Sequence, residues 1–445
     1  PVELRGHVVL VGHRAAGKSR LLEPVARLLS RPAVDLDALI AERSGAPVRV
    51  LFERSEAAFR QAEREAFAGI AGQAVVAAGG GFLSHHADLL EGQAPVLVPV
   101  TFDTYVERLR ADVNRPRLRP ELPLAEELET IFAEREEVHR RVSTVPLAAL
   151  LSASHVGVRV VTLPRGADAV AFAERARRAG ADALEIRDDL TGELDASRLS
   201  GILPLLLAHR SGSGFPAEAR RLARWEDSPD GPIVSRHVER PLTPDEAEAL
   251  WRDTTAAFIK HVEPLGAPGS GARLLETQAR LIARFGEGRV TVLATGDCAL
   301  PWRAVLARRN AFDYLALDAA SASAPGQRLL ADAVRAGDAG GPRLALIGHR
   351  IEHARSPRAH PQPFDRWDLP PDAPVEALVE ALAPHYRGFA VTAPFKRAFG
   401  PRAVNTLVRH ARGWAAFNTD VDGARAVVSR HGVKRFTVLG DGGAA

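Results

Sequence analysis

The chain is 445 residues long, carries 58 Lys and Arg against 55 Asp and Glu for a formal net charge of +3, and is 46% hydrophobic and 25% charged. This length is too great for one ordinary core, so we expect about three domains of a folded globular protein. No apolar run approaches the roughly 18 residues that a membrane span needs, and the small net charge gives no reason to expect a nucleic-acid partner. The single cysteine, Cys298, excludes an internal disulfide and suits the cytoplasm, where we expect the protein.

Apolar runs typical of strands alternate along the chain with helical stretches rich in Ala, Arg and Glu. This alternation predicts parallel α/β domains. Two junctions are candidate domain boundaries, one after Val145-Pro146 and one in the glycine-rich stretch Ala336–Pro342. We therefore divide the chain into residues 1–150, 151–338 and 339–445.

The first segment contains a phosphate-binding pattern. The apolar run His7–Val11 leads directly into G-H-R-A-A-G-K-S over Gly12–Ser19. This is G-x-x-x-x-G-K-S in its strand–loop–helix setting, which binds the phosphates of ATP with backbone N–H groups at a helix N-terminus. Lys18 would reach the β- and γ-phosphates, and Ser19 would bind Mg²⁺. The backbone positions expected at the phosphates are Gly12, Ala15, Ala16 and Gly17.

Residues that could bind the molecule that accepts the phosphoryl group lie at the ends of the next two predicted strands. Asp35 and Asp37 end the first of them, and the turn Gly79–Gly81 ends the second. Two acids at positions i and i+2 of a strand share a face, so we expect Asp35 in the magnesium shell and Asp37 at a hydroxyl. Arg60 offers a planar fork that matches a carboxylate, and three glycines let a ligand approach bare backbone. The alternatives are an aspartate that caps the following helix and an arginine that is only solvated.

These motifs together resemble shikimate kinase over residues 5–150. The resemblance implies an acceptor site for shikimate, with Lys18 and Asp37 taking part in catalysis. It also implies a lid in which Arg115 lies over the transferring phosphate, although the family usually has Leu where Arg117 stands. The residues implied at the substrate are Asp37, Arg60, the Gly79–Gly81 turn and Arg135.

The middle segment has the pattern of a (β/α)₈ barrel, whose active site lies at the C-terminal ends of its strands. Such a barrel needs eight strands to close, but Ser211–Gly214 leads quickly through Ala217–Arg224 to the next strand at Pro232, and we find no fourth strand there. We therefore expect either a replacement for that strand or a loss of residues from the sequence. The seven predicted strands end near Leu163, Asp189, Arg210, His237, Glu263, Thr295 and Asp318.

A lysine and a histidine lie on neighbouring strands of this segment. Burial inside a barrel disfavours the lysine cation, which would make Lys260 a usable amine nucleophile, and His237 could move protons beside it. This arrangement resembles type I 3-dehydroquinate dehydratase, which implies a Schiff base on Lys260 and a general acid/base role for His237. The alternative is an exposed lysine on an edge strand. The residues implied at the substrate are Glu185, Arg187, Arg210, Arg303, Ser323 and Gln327.

The last segment resembles the substrate-binding domain of shikimate dehydrogenase. The resemblance rests on short motifs around Ser356, Thr392-Ala-Pro-Phe-Lys396, Asn405-Thr406 and Asn418-Thr-Asp420. It implies Lys396 and Asp420 as the catalytic pair. The alternative is a surface lysine and a turn at Asn418–Asp420. The residues implied at the substrate are Ser356, Thr392, Asn405 and Thr419.

A dinucleotide pattern follows, in which V-L-G-D-G-G over Val438–Gly443 comes after a predicted strand. We expect Gly440, Gly442 and Gly443 at NADP(H). Because the sequence ends at Ala445, we expect a truncated Rossmann domain and a doubtful reductase activity.

The order kinase, dehydratase, dehydrogenase resembles the C-terminal part of the multifunctional arom polypeptide of the shikimate pathway. This resemblance implies an enzyme that uses ATP, Mg²⁺ and NADP(H), acts only on small molecules, and forms a homodimer through its barrel. One alternative is a metabolite-sensing regulator of the quinate-repressor type, with the same domain order and no catalysis. Another is a protein in which only the kinase is active.

Overall fold

The computed structural model describes residues 4–111, 117–152, 157–192, 194–210, 215, 223–226, 232–337, 341–355, 360, 362 and 364–432. The chain folds as two compact units, Pro1–Val234 and Ser235–Ala445. The boundary between the units falls inside the second predicted domain, so the division into residues 1–150, 151–338 and 339–445 stays a prediction. Within the described residues, no helix is long and apolar enough to cross a membrane.

A parallel sheet with its helices forms the beginning of the first unit. The strands are β1 (Val8–Val11), β2 (Ala33–Asp35), β3 (Val75–Ala77) and β4 (Ala94–Leu97). The helices are α1 (Lys18–Leu29), α2 (Leu36–Ser44), α3 (Val48–Arg54), α4 (Glu56–Ala68), α5 (Phe82–His86), α6 (Phe102–Ala111) and α7 (Leu124–Arg141).

The strand order of this sheet is β2–β3–β1–β4, with every pair parallel. β1 is buried along its whole length, as a strand in a parallel sheet must be when helices cover it. Val9, Val76, Phe59 and Phe82 belong to one core cluster beside it. Since parallel strands share a direction, the loops after β2, β3 and β1 leave the same edge of the sheet in that order.

A second run of parallel strands begins in the first unit, in the order β5–β6–β7–β8–β9, and its last strand crosses the boundary between Val234 and Ser235. Its strands are β5 (Val158–Thr162), β6 (Ala183–Arg187), β7 (Leu205–Ala208), β8 (Ala223–Glu226) and β9 (Ile233–His237). Its helices are α8 (Ala169–Arg178), α9 (Asp188–Thr191) and α10 (Ser197–Ser200).

The prediction of only seven strands in this segment is wrong, because β8 lies between β7 and β9. Leu205 pairs with Ala223 in parallel register, and the next three positions continue the ladder. Ala and Arg are among the better helix formers, but helix propensity is only a weak preference, and pairing with the fully buried β7 overrides it here. The strand that we predicted to be missing is therefore present as a four-residue segment.

The second unit begins with the remaining strands of the same pattern. They are β10 (Phe258–Pro264), β11 (Val290–Thr295) and β12 (Phe312–Leu315), with helices α11 (Pro244–Leu250), α12 (Gly271–Phe285), α13 (Ala299–Leu306) and α14 (Leu330–Ala336). β10 neighbours β9 and pairs in parallel with β11, with Lys260 opposite Thr291. The predicted adjacency of the strands that carry His237 and Lys260 is therefore present.

A mixed five-stranded sheet ends the described chain, in the order β14–β13–β15–β16–β17. Its first three strands are parallel and the last two form an antiparallel hairpin. The elements are β13 (Arg343–Gly348), β14 (Phe364–Asp368), β15 (Tyr386–Val391), β16 (Thr406–His410), β17 (Gly413–Phe417), α15 (Val375–Ala381) and α16 (Thr419–Arg430). Short 3₁₀ turns cover Ala87–Leu90, Leu147–Ser152, Pro268–Ser270, Ala319–Ser321, Ala383–His385 and Phe395–Arg397. The predicted α/β class is confirmed.

Candidate phosphate-transfer site and the other predicted sites

The phosphate loop joins β1 to α1 and leaves the helix N-terminus without a side-chain cap. Gly17 is the N-cap residue, with φ 108°, and no side chain accepts a hydrogen bond from the first turn. Backbone N–H groups in this position favour an anion. Lys18 is buried, and its Nζ donates to the carbonyl oxygens of Gly12 (3.0 Å) and His13 (2.6 Å). The loop therefore holds a cation beside a helix N-terminus that has no side-chain cap, with the exposed Ser19 next to it, and this arrangement fits a bound nucleotide phosphate.

Ala15 gives this loop an unusual backbone. Its φ of 58° lies in the left-handed region, which costs a residue with a Cβ about 1–2 kcal/mol relative to ordinary helix geometry. Arg108 Nη1 donates to the Ala15 carbonyl oxygen (2.8 Å). This hydrogen bond from α6 helps to hold the loop in the conformation that a glycine would adopt without strain.

Asp35 and Asp37 do not share a strand face, so that part of the prediction is wrong. β2 ends at Asp35, and α2 begins at the next residue. Asp35 Oδ1 accepts a hydrogen bond from Ala38 N (3.2 Å), so Asp35 is the helix N-cap that we gave as the alternative. The cap uses one carboxylate oxygen. A hydroxyl from Ser19 and a carboxylate from Asp35 are hard oxygen donors of the type that Mg²⁺ prefers, so these residues fit the ion.

Two predicted substrate residues meet at the triple-glycine turn. A Cβ on Gly81 would lie 3.1 Å from Arg60 Nη2, and one on Gly80 would lie 3.1 Å from Arg135 Nη1 and 2.6 Å from Arg14 Cγ. Bare backbone therefore faces three arginine side chains. Any larger residue in this turn would fill the space between them.

Arg135 is the most constrained of these cations. Its side chain on α7 is only 9% exposed, and its Nη1 has no hydrogen-bond partner among the described residues. Burial lowers the pKa of Arg135 to about 10, so the guanidinium is still charged at neutral pH. A buried charge without a partner is costly unless an anion binds it. Arg135 is therefore suited to a carboxylate ligand.

A buried glutamate orients Arg60. Arg60 Nη1 donates to Glu63 Oε2 (2.9 Å), and the His86 ring nitrogen Nε2 lies 3.0 Å from the same oxygen. Burial raises the pKa of Glu63, while the charge of Arg60 and its hydrogen bond act in the opposite direction. A Cβ on Gly79 would lie 2.9 Å from Glu63 Oε1 and 3.5 Å from Asp37 Oδ1. The turn thus brings Asp37 to the same place as the two arginines.

The described part of the predicted lid is fixed to α7. Arg115 lies outside the described residues. Arg117 Nε donates to Glu127 Oε2 (2.6 Å), and Leu118 N donates to Glu127 Oε1 (2.7 Å). Burial alone would raise the pKa of Glu127, but these hydrogen bonds hold it below its ordinary value.

Sequence reasoning missed a histidine pair beside the phosphate loop. His13, inside the loop, and His139, on α7, are both buried, with their ring centroids 4.5 Å apart. Burial, helped by the charges of Arg135 and Lys18, lowers the pKa of His13 to about 3. Burial, followed by the influence of His13, lowers the pKa of His139 to about 4. The signals available were a histidine inside the glycine pattern and the pair Glu136–His139, which are three residues apart on a helix.

A second missed feature is the backbone that packs against the phosphate loop. Gly201, which follows α10 in the same unit, lies so close that a Cβ on it would be 2.2 Å from the Ala16 carbonyl oxygen. A Cβ on Gly17 would be 2.1 Å from the Gly201 carbonyl oxygen. The loop and the middle segment therefore meet through backbone alone, at a point where neither side has room for a side chain.

The predicted dehydratase residues of the first unit are held by local partners. Glu185 is buried on β6, and its Oε2 accepts a hydrogen bond from Thr162 Oγ1 (2.5 Å). Arg187 donates to both carboxylate oxygens of Asp189 (3.0 and 2.7 Å). Arg210 lies just after β7, and its backbone N–H donates to Asp188 Oδ1 (2.7 Å).

The remaining dehydratase residues lie in the second unit. Lys260 is only 4% exposed, which contradicts the alternative of an exposed edge lysine, and its Nζ lies 3.6 Å from the centre of the Tyr314 ring. Buried Arg303 donates to the Tyr314 carbonyl oxygen (3.2 Å), and burial lowers the pKa of Arg303 to about 10. The structure therefore brings Lys260 and Arg303 to one tyrosine, while His237 is exposed at the end of β9.

The loop after β12 is tied by its own side chains. Ser323 N and Ser323 Oγ both lie within hydrogen-bonding distance of Gln327 Oε1 (2.8 and 3.2 Å). The two predicted contacts of this loop are therefore neighbours in the structure.

The predicted dehydrogenase pair is in direct contact. Lys396 Nζ lies 2.5 Å from Asp420 Oδ2, and this hydrogen bond lowers the pKa of Asp420. Asn405 donates to Thr419 Oγ1 (3.0 Å) and accepts from Thr419 N (3.0 Å). Two of the predicted substrate residues therefore join the strand β16 to the start of α16, beside the ion pair.

The other predicted residues of this segment are only partly covered. Thr392 lies directly after β15, and its backbone N–H donates to Ile347 O (2.9 Å). The predicted residues outside the described part of the chain are Ser356, Gly440, Gly442 and Gly443.

The loop after β1, with its buried lysine and its uncapped helix, defines the first segment as a P-loop nucleotide-binding fold. Residues 14–160 match the family model for shikimate kinase. Shikimate kinase from Dechloromonas aromatica (strain RCB) is 36% identical over 150 residues, which are 32% of this chain and 81% of that protein. Shikimate kinase from Stenotrophomonas maltophilia (strain K279a) is 30% identical over 168 residues, which are 35% of this chain and 92% of that protein. The chain therefore belongs to the shikimate kinase family.

Two solved structures are similar to parts of the chain. Shikimate kinase from Acinetobacter baumannii in complex with shikimate has 27% identity and a TM-score of 0.29, covering 32% of this chain and 83% of that one. The dehydroquinate dehydratase and shikimate dehydrogenase from S. pombe AroM has 18% identity and a TM-score of 0.32, covering 62% of this chain and 67% of that one.

The contact of Gly201 with the phosphate loop can be tested by adding one methyl group. Gly201 has φ −88°, so Gly201→Ala is compatible with the backbone and acts only through the clash with the Ala16 carbonyl. We expect the dissociation constant of MgATP, measured by calorimetry, to rise about tenfold, because the loop must shift.

The matched control is Gly269→Ala, since nothing lies within 4 Å of a Cβ at that position. This variant should bind MgATP like the unmodified chain. Equal MgATP affinity in Gly201→Ala and Gly269→Ala would show that the contact does not constrain the loop.

Proposed function

We propose that the first segment transfers the γ-phosphoryl group of ATP to shikimate. The observation that carries this proposal is the buried, partly unpartnered guanidinium of Arg135 beside Arg60 at a bare glycine turn. Two forks of positive charge at one place are suited to a carboxylate. The strand order β2–β3–β1 puts this turn between the phosphate loop and Asp37, so a hydroxyl of the same small molecule can reach the phosphate.

The chemistry needs positioning and charge more than covalent help from the protein. A hydroxyl oxygen of shikimate attacks the γ-phosphorus, the bond to the ADP oxygen breaks, and Asp37 accepts the hydroxyl proton. Lys18 offsets the negative charge that moves onto the phosphate oxygens. Mg²⁺, held by Ser19 and Asp35, would neutralise further charge there. The lid residue Arg115 is proposed to add a second cation.

The acceptor site predicts a selective effect of Arg60→Gln. Losing a charge-assisted hydrogen bond worth about 1.5–3 kcal/mol should raise KM for shikimate about 10- to 150-fold, with little change in KM for ATP. The control is Arg64→Gln, one turn further along α4, where the guanidinium pairs with Asp88 on the surface. Steady-state kinetics on both substrates check the result. An unchanged KM for shikimate in Arg60→Gln would contradict the assignment of the carboxylate site. Full activity in Lys18→Ala would contradict the assignment of the phosphate site.

We further propose that the middle segment dehydrates 3-dehydroquinate through a Schiff base on Lys260. The buried amine attacks the ketone carbon, and loss of water leaves an imine between Nζ and that carbon. The imine draws electrons from the neighbouring carbon as its proton leaves, and the hydroxyl then departs with a proton. His237 is proposed to move these protons. Hydrolysis of the imine releases 3-dehydroshikimate and the free lysine.

The Schiff base can be trapped by borohydride. The chain has only four lysines, Lys18, Lys260, Lys396 and Lys434, so an adduct is simple to locate. With 3-dehydroquinate present, we expect one reduced adduct on the peptide that contains Lys260. It should disappear in Lys260→Gln and persist in Lys396→Gln, the matched control. Mass spectrometry that finds no adduct, or finds it on another lysine, contradicts the proposal.

We propose a reductive role for the last segment, between 3-dehydroshikimate and shikimate. The Lys396–Asp420 pair supports this proposal, because an ammonium held at 2.5 Å from a carboxylate is placed to deliver a proton to a reacting oxygen. NADPH would supply the hydride when bound. The glycines predicted to hold it, Gly440, Gly442 and Gly443, lie outside the described residues, so we assign no step to them.

The three proposals together describe a multifunctional enzyme of the arom type in the cytoplasm. A coupled assay that starts from 3-dehydroquinate with NADPH, ATP and Mg²⁺ should yield shikimate 3-phosphate when the chain carries a complete NADP(H) domain. Lys396→Ala should stop the sequence at 3-dehydroshikimate, yet leave phosphorylation of added shikimate unchanged. Ligand binding without turnover at any step would favour the metabolite-sensing regulator instead, and phosphorylation alone would favour the kinase-only protein. A homodimer through the barrel stays a prediction.

A further inference from the structure

A second cluster of ligand-type side chains joins the phosphate loop to α7 and shares no residue with the oxygen donors assigned to Mg²⁺. It consists of His13 in the loop and of Glu136 and His139 on α7. Positions i and i+3 of a helix share a face, so α7 presents a carboxylate and an imidazole side by side. Within the described part of the chain, no other group of three or more His, Cys, Asp or Glu side chains meets so closely.

The spacing of the three side chains is close to that of a metal site. His13 Nε2 lies 2.8 Å from Glu136 Oε1, which lies 3.7 Å from His139 Nδ1. One ligand atom from each residue lies within 4.8 Å of the others. Donors bonded at about 2.0–2.1 Å to a tetrahedral ion are separated by about 3.3 Å. Small rotations of the side chains would therefore bring all three onto one ion.

The rings are buried and held in place by aromatic neighbours. His13 stacks on Phe132, with ring centroids 4.0 Å apart and planes within 4° of parallel, and it is only 2% exposed. His13 Nδ1 has no hydrogen-bond partner among the described residues, so a single contact with Glu136 accounts for its polar interactions there. A buried polar ring held by one hydrogen bond is incompletely satisfied. The nitrogen of His13 that faces Glu136 is Nε2, and stacking on Phe132 keeps it directed there.

We propose that His13, Glu136 and His139 form a binding site for a divalent transition-metal ion of the Zn²⁺ class. Two imidazoles and one carboxylate select Zn²⁺, Co²⁺ or Ni²⁺ over Mg²⁺, which prefers oxygen ligands and keeps its waters. The Glu136 side chain is 36% exposed, so the ion has a route in from solvent and a water can complete its coordination.

The charged side chains around the site affect how strongly it can bind a cation. Lys18 and Arg135 lie near enough to His13 to act on it electrostatically, and they oppose a further cation. The Glu136 carboxylate is the anionic ligand that offsets this repulsion. The ion would join the second residue of the phosphate loop to the helix that carries Arg135, so it would connect the two halves of the kinase site.

The test uses Co²⁺ as a spectroscopic probe and Zn²⁺ as its competitor on the full chain. We expect one equivalent of Co²⁺ to give the visible absorption bands of a low-coordinate ion, and one equivalent of Zn²⁺ to remove them. Glu136→Gln keeps the size of the side chain but loses its charge, and it should weaken binding at least tenfold. His139→Gln should weaken binding likewise.

The matched control is Glu137→Gln, because Glu137 pairs with Arg140 and Arg141 on the exposed side of α7. This variant should bind Co²⁺ like the unmodified chain. Circular dichroism melts of each variant without metal separate loss of the site from loss of the fold. The proposal is overturned if the unmodified chain gives no saturable spectrum, or if folded Glu136→Gln and Glu137→Gln bind equally, since the ion would then lie on other histidines.

Discussion

The kinase segment depends on keeping positive charges close together where no side chain separates them. Arg14, Arg60 and Arg135 all approach the Gly79–Gly81 turn, and like charges at this distance repel in a partly buried place. Glu63 offsets part of that repulsion by accepting from Arg60, and burial of Glu63 strengthens the pair because solvent does not screen it. Arg135 has no such partner for its Nη1 within the described residues. The arrangement is stable enough to fold, yet it favours an arriving anion.

The close approach of these arginines to the turn explains which residues the turn and α7 contain. Three glycines are needed because a Cβ at any of them would fall within about 3 Å of a guanidinium, a carboxylate or the Arg14 backbone. Arg135 must come from α7, which also supplies Glu127 to fix the base of the lid and His139 to pack against the loop. One helix therefore carries the acceptor cation, the lid anchor and the contact to the nucleotide loop. A displacement of α7 would act on all three at once.

Sequence reasoning succeeded where the signal was local and failed where a distant partner decided the structure. The phosphate loop, Arg60 on α4 and the glycine turn are each contained in a short pattern, and the structure has them on the expected elements. Asp35 was assigned to a strand face together with Asp37, but an aspartate just before a helix is also a strong helix cap. In β8 the ladder with β7 outweighed local helix preference.

The contacts that sequence could not show are those made across long separations. Gly201 is more than 180 residues from Ala16, and no sequence pattern in either stretch predicts their contact. The same holds for Lys260, whose burial against Tyr314 could be argued only from a resemblance. His13 is different, since a histidine inside a phosphate loop and an E-x-x-H pair on a helix are both visible in the sequence. Their significance depends on the contact of His13 with α7, which the sequence does not show.

The phosphate loop is consequently held from several directions before any nucleotide binds. Arg108 fixes the carbonyl of Ala15 in its left-handed conformation, Gly201 lies against Ala16 and Gly17, and His13 stacks on Phe132 of α7. Each contact removes conformations that the loop would otherwise have to lose on binding, and such preorganisation lowers the entropic cost of binding. The contact of Gly201 differs from the others because it comes from the middle segment. It gives that segment a physical means of influencing nucleotide binding, whatever reaction the middle segment itself catalyses.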